Sequence, residues 1–514
     1  MESQVQTSFC WGLPFILLLL CLMTREFLPN TNAHLMNCWE SDQEALIDFK
    51  NGLNDPANRL SSWKGSNCCQ WWGISCDNTS GAVIAVDLRD PHQDGFQFFG
   101  RYVHPTISGD ISPPLMTLKS LRHLDLSLNA FIDNPIPEFL GSLKNLQYLN
   151  LSNAGFSGAI PQNLGNLSSL QYFDLDNSMT LEWHSGLYVD NLDWVTGLVS
   201  LKHLDMDAVD LSNVGSHWIM KLNKFSSLTE LHLSDCLRSN DLNSKIPDWL
   251  VNISSLVTLD LNSGKNNLTG TLPKFLEGIE NCLSRKPLPS LQVLNLPNNH
   301  LVGKLPEWLT QLANLVELDL SSGNLLNGSV PASFRNLKAM TQVQNHNNYH
   351  LYGGLNGYYA ENFVVTAKNQ HLEFTKSLSL VVSLDLSGNN LNGDLPGEIT
   401  NLLGLVFLNF SRNHISGHIP ESISRLTQLS SLDLSHNKFS GAIPPSLGSL
   451  SFLGYLNLSD NDFTGDEDDD DTDKGSTIHK DNSNGGSFID NWFYLSVGLG
   501  FVAGILFPFL AQYS

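Results

Sequence analysis

The stretch "LSSLDLSHNKFSGAIPPSLGSLSF", residues 429–452, decides the fold. Leu429, Leu432 and Leu434 point one way along a short strand while Ser431, Asp433 and Ser435 alternate outward, the period-two pattern of a strand with one buried face. Asn437 follows at the turn, where its amide can hydrogen-bond to backbone groups in the loops of its own and neighbouring repeats. Gly441 permits a tight backbone, and Ile443-Pro444 closes a second short extended segment. One such unit cannot bury its leucines alone, so stacking on copies of itself is obligatory.

The copies are present. Aligning on L-x-x-L-x-L places anchors at Leu121, Leu146, Leu170, Leu201, Leu228, Leu256, Leu291 and Leu315, and after a gap at Val381, Leu405, Leu429 and Leu453. The last three steps are 24 residues each, whereas steps of 31 and 35 interrupt the first block. A degenerate unit, "VIAVDL" at 83–88, brings the total to about thirteen. The expected fold is therefore an α/β solenoid with a concave parallel β-sheet, its strands stacked at ~4.8 Å. Such a surface binds partners and encloses no pocket for chemistry.

The flanks differ from the repeats. Residues 13–23, "LPFILLLLCLM", are too short to span a membrane and suit a signal peptide ending near Thr31-Asn32-Ala33, so residues 1–33 are read as a leader. Residues 34–80 hold Cys38, Cys68, Cys69 and Cys76 around a Trp-rich knot. Adjacent Cys68 and Cys69 cannot easily pair with each other, so bridges Cys38 to Cys68 and Cys69 to Cys76 are expected; a four-thiolate zinc site is the competing reading, which a secreted context disfavours. Cys236 and Cys282 fit either a bridge or buried thiols. Sequons at Asn78, Asn150, Asn166, Asn252, Asn267, Asn327, Asn409 and Asn457 agree with a secretory route, although three are built into the repeat itself.

At the other end, "DEDDDDTD" (466–473) opens an acidic spacer over 466–491, and Trp492 to Ala511 form an uncharged stretch of twenty residues, long enough for one transmembrane helix. Gly500 and Gly504 within it make a GxxxG that suits helix pairing. The small residues "SNGGS" (483–487) before an apolar tail also fit a lipid-anchor signal, but the four-residue spacer "FIDN" is short for one, which favours the helix.

The net charge of −23, without clustered Lys or Arg, argues against nucleic acid as a partner. "GLGFVAG" (498–504) lacks the Lys of a phosphate loop, the acidic run lacks the ligand spacing of an EF-hand, and His346 and His350 sit in an Asn-rich loop rather than on a helix. No kinase motif set or other enzyme signature is present. No enzyme, cofactor or metal is therefore expected. Down consecutive strands, the position before the second strand leucine reads His123, Tyr148, Tyr172, His203 and Glu230, a row of aromatic and titratable side chains expected to contact a ligand; mutual stacking is the plain alternative.

The "FSGAIP" segment after "LDLSHN" resembles the plant extracellular class of leucine-rich repeat, and "ALIDFKNGL...LSSW...CCQWWGISC" resembles the cap of plant receptor-like proteins and receptor kinases. Residues 191–236 and 358–396 are similar to receptor-like proteins grouped with ethylene-inducing-xylanase receptors and Cf-type resistance proteins, including that family's non-repeat island, here 341–380 between repeat blocks 81–340 and 381–465. The resemblance implies a plasma-membrane, single-pass receptor with its ectodomain in the apoplast. It also implies recognition of a microbial protein or peptide and signalling through a leucine-rich-repeat receptor kinase as co-receptor. Such receptors carry more repeats, a cysteine-bearing C-terminal cap and a basic tail. Those departures add weight to a non-signalling inhibitor or decoy of a microbial wall-degrading enzyme; a developmental peptide receptor is a further alternative.

Overall fold

The computed structural model describes residues 37–90, 96–97, 101–102, 106–178, 186–214, 225, 227–234, 253–262, 268–272, 288–343, 362–367, 370–375 and 382–464. Among them, one sheet of fourteen strands runs the length of the repeats. It begins with the cap strand Ile74–Cys76, antiparallel to Val83–Asp87, and continues as parallel strands to Tyr455–Asn457. Thirteen of the fourteen come from repeats, matching the expected number.

Each repeat contributes the same inward row. Leu429, Leu432 and Leu434 are fully buried, and the equivalent leucines of the other repeats form one continuous core with them. On the opposite side of the strand, Ser431 and Ser435 are also buried. Side chains of the adjacent strands crowd that face, Phe407 and Tyr455 flanking Ser431, and the Ser435 hydroxyl donates to Asp433 at 2.7 Å. Asn437 acts as expected: its Nδ2 donates to the carbonyls of Phe410 in the preceding repeat and of Leu434 and Ser435 in its own, while its Oδ1 accepts from the Ile415 N–H. Gly441 has φ +75°, and a side chain there would collide with the His418 ring. The second extended segments pair into a parallel sheet of seven strands between Thr269–Thr271 and Asp462–Phe463. Single turns of 3-10 helix such as Pro445–Ser449 complete the units.

The cap closes the first repeat. Helix Glu40–Asn51 buries Ala45, Leu46 and Phe49, and both expected bridges, Cys38–Cys68 and Cys69–Cys76, are formed. Arg59 ties the cap to the first repeats: its guanidinium donates to the carbonyls of Leu88 and Arg89 and to Asn129 Oδ1, lies 3.4 Å from Asp90, and packs 4.7 Å from the Trp72 ring.

Within the island, Asn362–Ala367 and Gln370–Thr375 make an antiparallel hairpin. The long sheet crosses the insertion unbroken, because Glu317–Asp319 pairs directly with Ser383–Asp385. No helix among the described residues is long and apolar enough to cross a membrane. The leader 1–33, the spacer 466–491, the stretch 492–511 with Gly500 and Gly504, and Cys236, Cys282, His346 and His350 lie outside the described residues.

Candidate functional site on the strand face

Strand register builds the site. His123, Tyr148, Tyr172, His203 and Glu230 are direct cross-strand partners in sequence, because their strands are anchored by the same leucines. Parallel strands at ~4.8 Å bring flat rings on one face into stacking range. His123 lies 4.1 Å from Tyr148 with planes 8° apart, Tyr148 lies 4.4 Å from Tyr172 at 14°, and Tyr172 lies 4.1 Å from His203 at 7°. His203 Nδ1 then meets Glu230 Oε2 at 2.5 Å. The five residues thus form one continuous ladder. Mutual stacking leaves His123, Tyr172 and Glu230 partly exposed, and Tyr148 and His203 only 8% and 6% exposed.

A second row runs beside it, two residues further along each strand. Its residues are Asp or Asn at every strand but one, and they cap the strand ends. In eleven of the thirteen repeats the side-chain Oδ1 accepts the N–H two residues on, as Asp125 does from Ser127 and Asp433 from Ser435. The two rows also bond to each other, since Tyr148 Oη donates to Asp125 Oδ2 and Tyr172 Oη to Asp174 Oδ2, each at 3.2 Å.

Burial dominates the electrostatics. Burial pushes the carboxyl of Asp125 up, and burial with the charge of Asp176 lifts Asp174 to about 6. Burial and then the neighbouring acids push Asp205 and Asp207 well above the carboxylate range. Burial lowers His123, and burial followed by the charge of His203 lowers His232 to about 4. For Glu230 burial works the other way, but the His203 hydrogen bond and the charges of His203 and His232 together outweigh it and hold the carboxyl below its usual value.

Of the sequons, Asn78, Asn166 and Asn327 are exposed, whereas Asn252 and Asn267 lie outside the described residues. Asn150 is buried in the second row with its amide donating to Tyr148 Oη, so a glycan there would displace the amide from the sheet. Asn409 and Asn457 occupy the same row and donate to Asp385 and Asp433.

Reading the first row alone misses His232. It stands where the other strands end in Asp or Asn, and with His203 and Glu230 it puts three metal-capable side chains at the end of the ring ladder. The signal was in the sequence as a break in the strand-end column.

Three family models match: a leucine rich repeat N-terminal domain over 40–77, a leucine-rich repeat region over 103–329 and a leucine rich repeat over 379–439. Among curated proteins, receptor-like protein EIX2 of Solanum lycopersicum is 35% identical over 321 residues, 62% of this chain and 29% of that protein. Receptor-like protein EIX1 of the same species is 32% identical over 296 residues, 57% of this chain and 27% of that protein. The matched segments thus span less than a third of those relatives. Among solved structures, a TDR receptor superposes with a TM-score of 0.53 at 25% identity, covering 76% of this chain and 53% of that one. The plant peptide hormone receptor RGFR1 in complex with RGF2 shares the fold, with a TM-score of 0.50 at 22% identity over 77% of this chain and 61% of that one.

Proposed function

Since the chain is a leucine-rich-repeat protein of the plant receptor-like kind, we propose that it is the recognition part of a cell-surface immune receptor for a microbial protein or peptide. The ring ladder carries the reading. A solenoid needs leucines inside and needs nothing aromatic on its strand face, yet here four aromatic or imidazole rings and an acid occupy five consecutive positions. Stacked rings are rigid before a ligand arrives, so little conformational freedom is lost on binding, and Tyr-rich surfaces are favoured as interface hot spots. Signalling would pass through a partner receptor kinase, with anchoring by the apolar stretch 492–511, because no enzyme motif is present in this chain.

The test is capture of a ligand from fungal culture proteins by the secreted chain, followed by affinity measurement on Tyr148→Ala with Tyr172→Ala. The double variant is expected to bind at least tenfold more weakly, on the order of 1.4 kcal/mol, with secretion unchanged. Equal affinity in the variant sinks the assignment of the ladder.

A further inference from the structure

At the end of the ring ladder, two adjacent strands place four chemistry-bearing side chains at the corners of one patch. His203 is the cross-strand partner of Glu230, and Asp205 is the partner of His232. Side chains two apart on a strand share a face, and parallel neighbours stand ~4.8 Å apart, so all four project to the same side. His203 Nδ1 lies 2.5 Å from Glu230 Oε2, and the His203 and His232 rings are 5.6 Å apart. One ligand atom each from His203, Glu230 and His232 lies within 4.8 Å of the others, and the same holds for Asp205, Asp207 and His232.

His232 has no part in the capping that explains its column. In eleven other repeats the strand-end Asp or Asn accepts the N–H two residues on; here the Ser234 N–H donates instead to Asp207 Oδ1 of the preceding repeat, at 2.5 Å. An imidazole is thus placed where the scaffold uses an acceptor, next to another imidazole and a carboxylate. Stacking on Tyr172 fixes the plane of the His203 ring, with its Nδ1 facing Glu230.

We propose that His203, Glu230 and His232 bind one divalent transition-metal cation of the zinc class, with Asp205 and Asp207 beside it. Two imidazoles and one carboxylate match the nitrogen and oxygen preference of Zn2+, whereas Ca2+ and Mg2+ favour all-oxygen shells. Three protein ligands leave a fourth position open on the face that carries the ring ladder. A carboxylate or imidazole from a bound protein could fill it, so the cation would extend the proposed recognition surface. The site itself does not depend on that reading, because metal binding is measured without any ligand.

The full chain, purified without a polyhistidine tag and stripped with a chelator, is dialysed against Zn2+ and analysed for metal content and for affinity by chelator competition. One Zn2+ per chain is expected. His232→Asn, which restores the residue type of the column, and Glu230→Gln should each weaken binding at least tenfold, whereas exposed His300→Asn should not. If His232→Asn is not secreted, His203→Tyr takes its place, since Tyr occupies that position in the two preceding strands. Wild-type chain that binds no Zn2+, or binding equal in His232→Asn and wild type, overturns the site.

Discussion

Two regions of the same solenoid solve the stacking problem differently. From Asn299 onward, the turn positions hold Asn299, Asn324, Asn389, Asn413, Asn437 and Asn461, each donating to a carbonyl of the preceding repeat. Each also accepts an N–H from that repeat, as Asn389 does from Leu326 and Asn437 from Ile415. Between Leu146 and Leu233, the equivalent positions are Ala154, Ser178 and Val209. The seven-stranded second sheet begins at Thr269–Thr271 and runs through the later region; in the earlier one, among the described residues, Gly158–Ala159 pairs with Leu187–Tyr188 and Tyr188 bridges to Asp210. Leucines and strand pairing alone therefore suffice to stack repeats. The asparagine row is an added tie: Asn129 makes it in the repeat of His123, and the next three repeats, which carry Tyr148, Tyr172 and His203 of the ring ladder, do without it.

The largest test of that comparison is Asn389→Ala. Asn389 is 5% exposed and makes four hydrogen bonds, to the carbonyls of Leu320, Leu386 and Ser387 and from the Leu326 N–H. Alanine leaves four buried backbone groups without this partner, and each unsatisfied group costs about 1–3 kcal/mol. A loss of at least ~3 kcal/mol is expected in denaturant unfolding, although Ala154 is native at the same position of an earlier repeat. A loss below ~1 kcal/mol would mean that the asparagine row ties nothing.

The second test is pH. Burial, then the charges of Asp319 and Asp260, pushes Glu317 well above the carboxylate range, and burial with the charge of Asp385 lifts Asp319 to about 8. A carboxyl whose folded pKa is raised holds its proton more tightly when folded, so stability falls as pH climbs from the unfolded value toward the folded one. His123 and His232 act oppositely, but their pKa values are lowered from 6.5, so their effect ends near that pH. Between pH 6.5 and 8 the acids act without that opposition. With chelator present, the melting temperature should drop across this window. Asp319→Asn keeps the cap to the Ser321 N–H and should flatten the slope; an unchanged slope in that variant would break the assignment.

Much of this was legible in the residues. The leucine spacing fixes which strands neighbour which, so the order His123, Tyr148, Tyr172, His203, Glu230 needed no coordinates. The Asn437 contacts followed from turn chemistry, and adjacency of Cys68 and Cys69 excluded a bridge between them, while the fold selects Cys38–Cys68 and Cys69–Cys76. Other features depend on the neighbour across the strand gap, which no single repeat encodes. Ser431 is buried between Phe407 and Tyr455 on the adjacent strands, and Asn150 between Asp125 and Asp174, so their burial is set by their neighbours and not by their own chemistry. Irregular steps of 31 and 35 residues gave no hint that the sheet continues without interruption through them, as the pairings of Tyr172 with His203 and Thr258 with Val293 demonstrate. His232 was missed because the row of rings drew the reading away from the column of caps beside it.

The smallest expected effect sits where the two regions meet. Strand Val293–Asn295 ends in Asn295, but the residue two positions on is Pro297, which has no N–H to donate. Asn295 Nδ2 still donates to Asp260 at 2.9 Å, while its buried Oδ1 has no hydrogen-bond partner. Pro297→Ser restores the residue found at 127, 152, 321, 387, 411, 435 and 459, where the backbone N–H donates to the strand-end side chain. Satisfying a buried acceptor is worth about 1–3 kcal/mol, and losing proline's restriction of the unfolded chain costs about 0.4–1 kcal/mol. The first term is the larger, so the variant should be more stable than the parent by ~1 kcal/mol in denaturant unfolding. A destabilised variant would show that proline's rigidity, rather than the cap, holds the first strand of the asparagine-tied region.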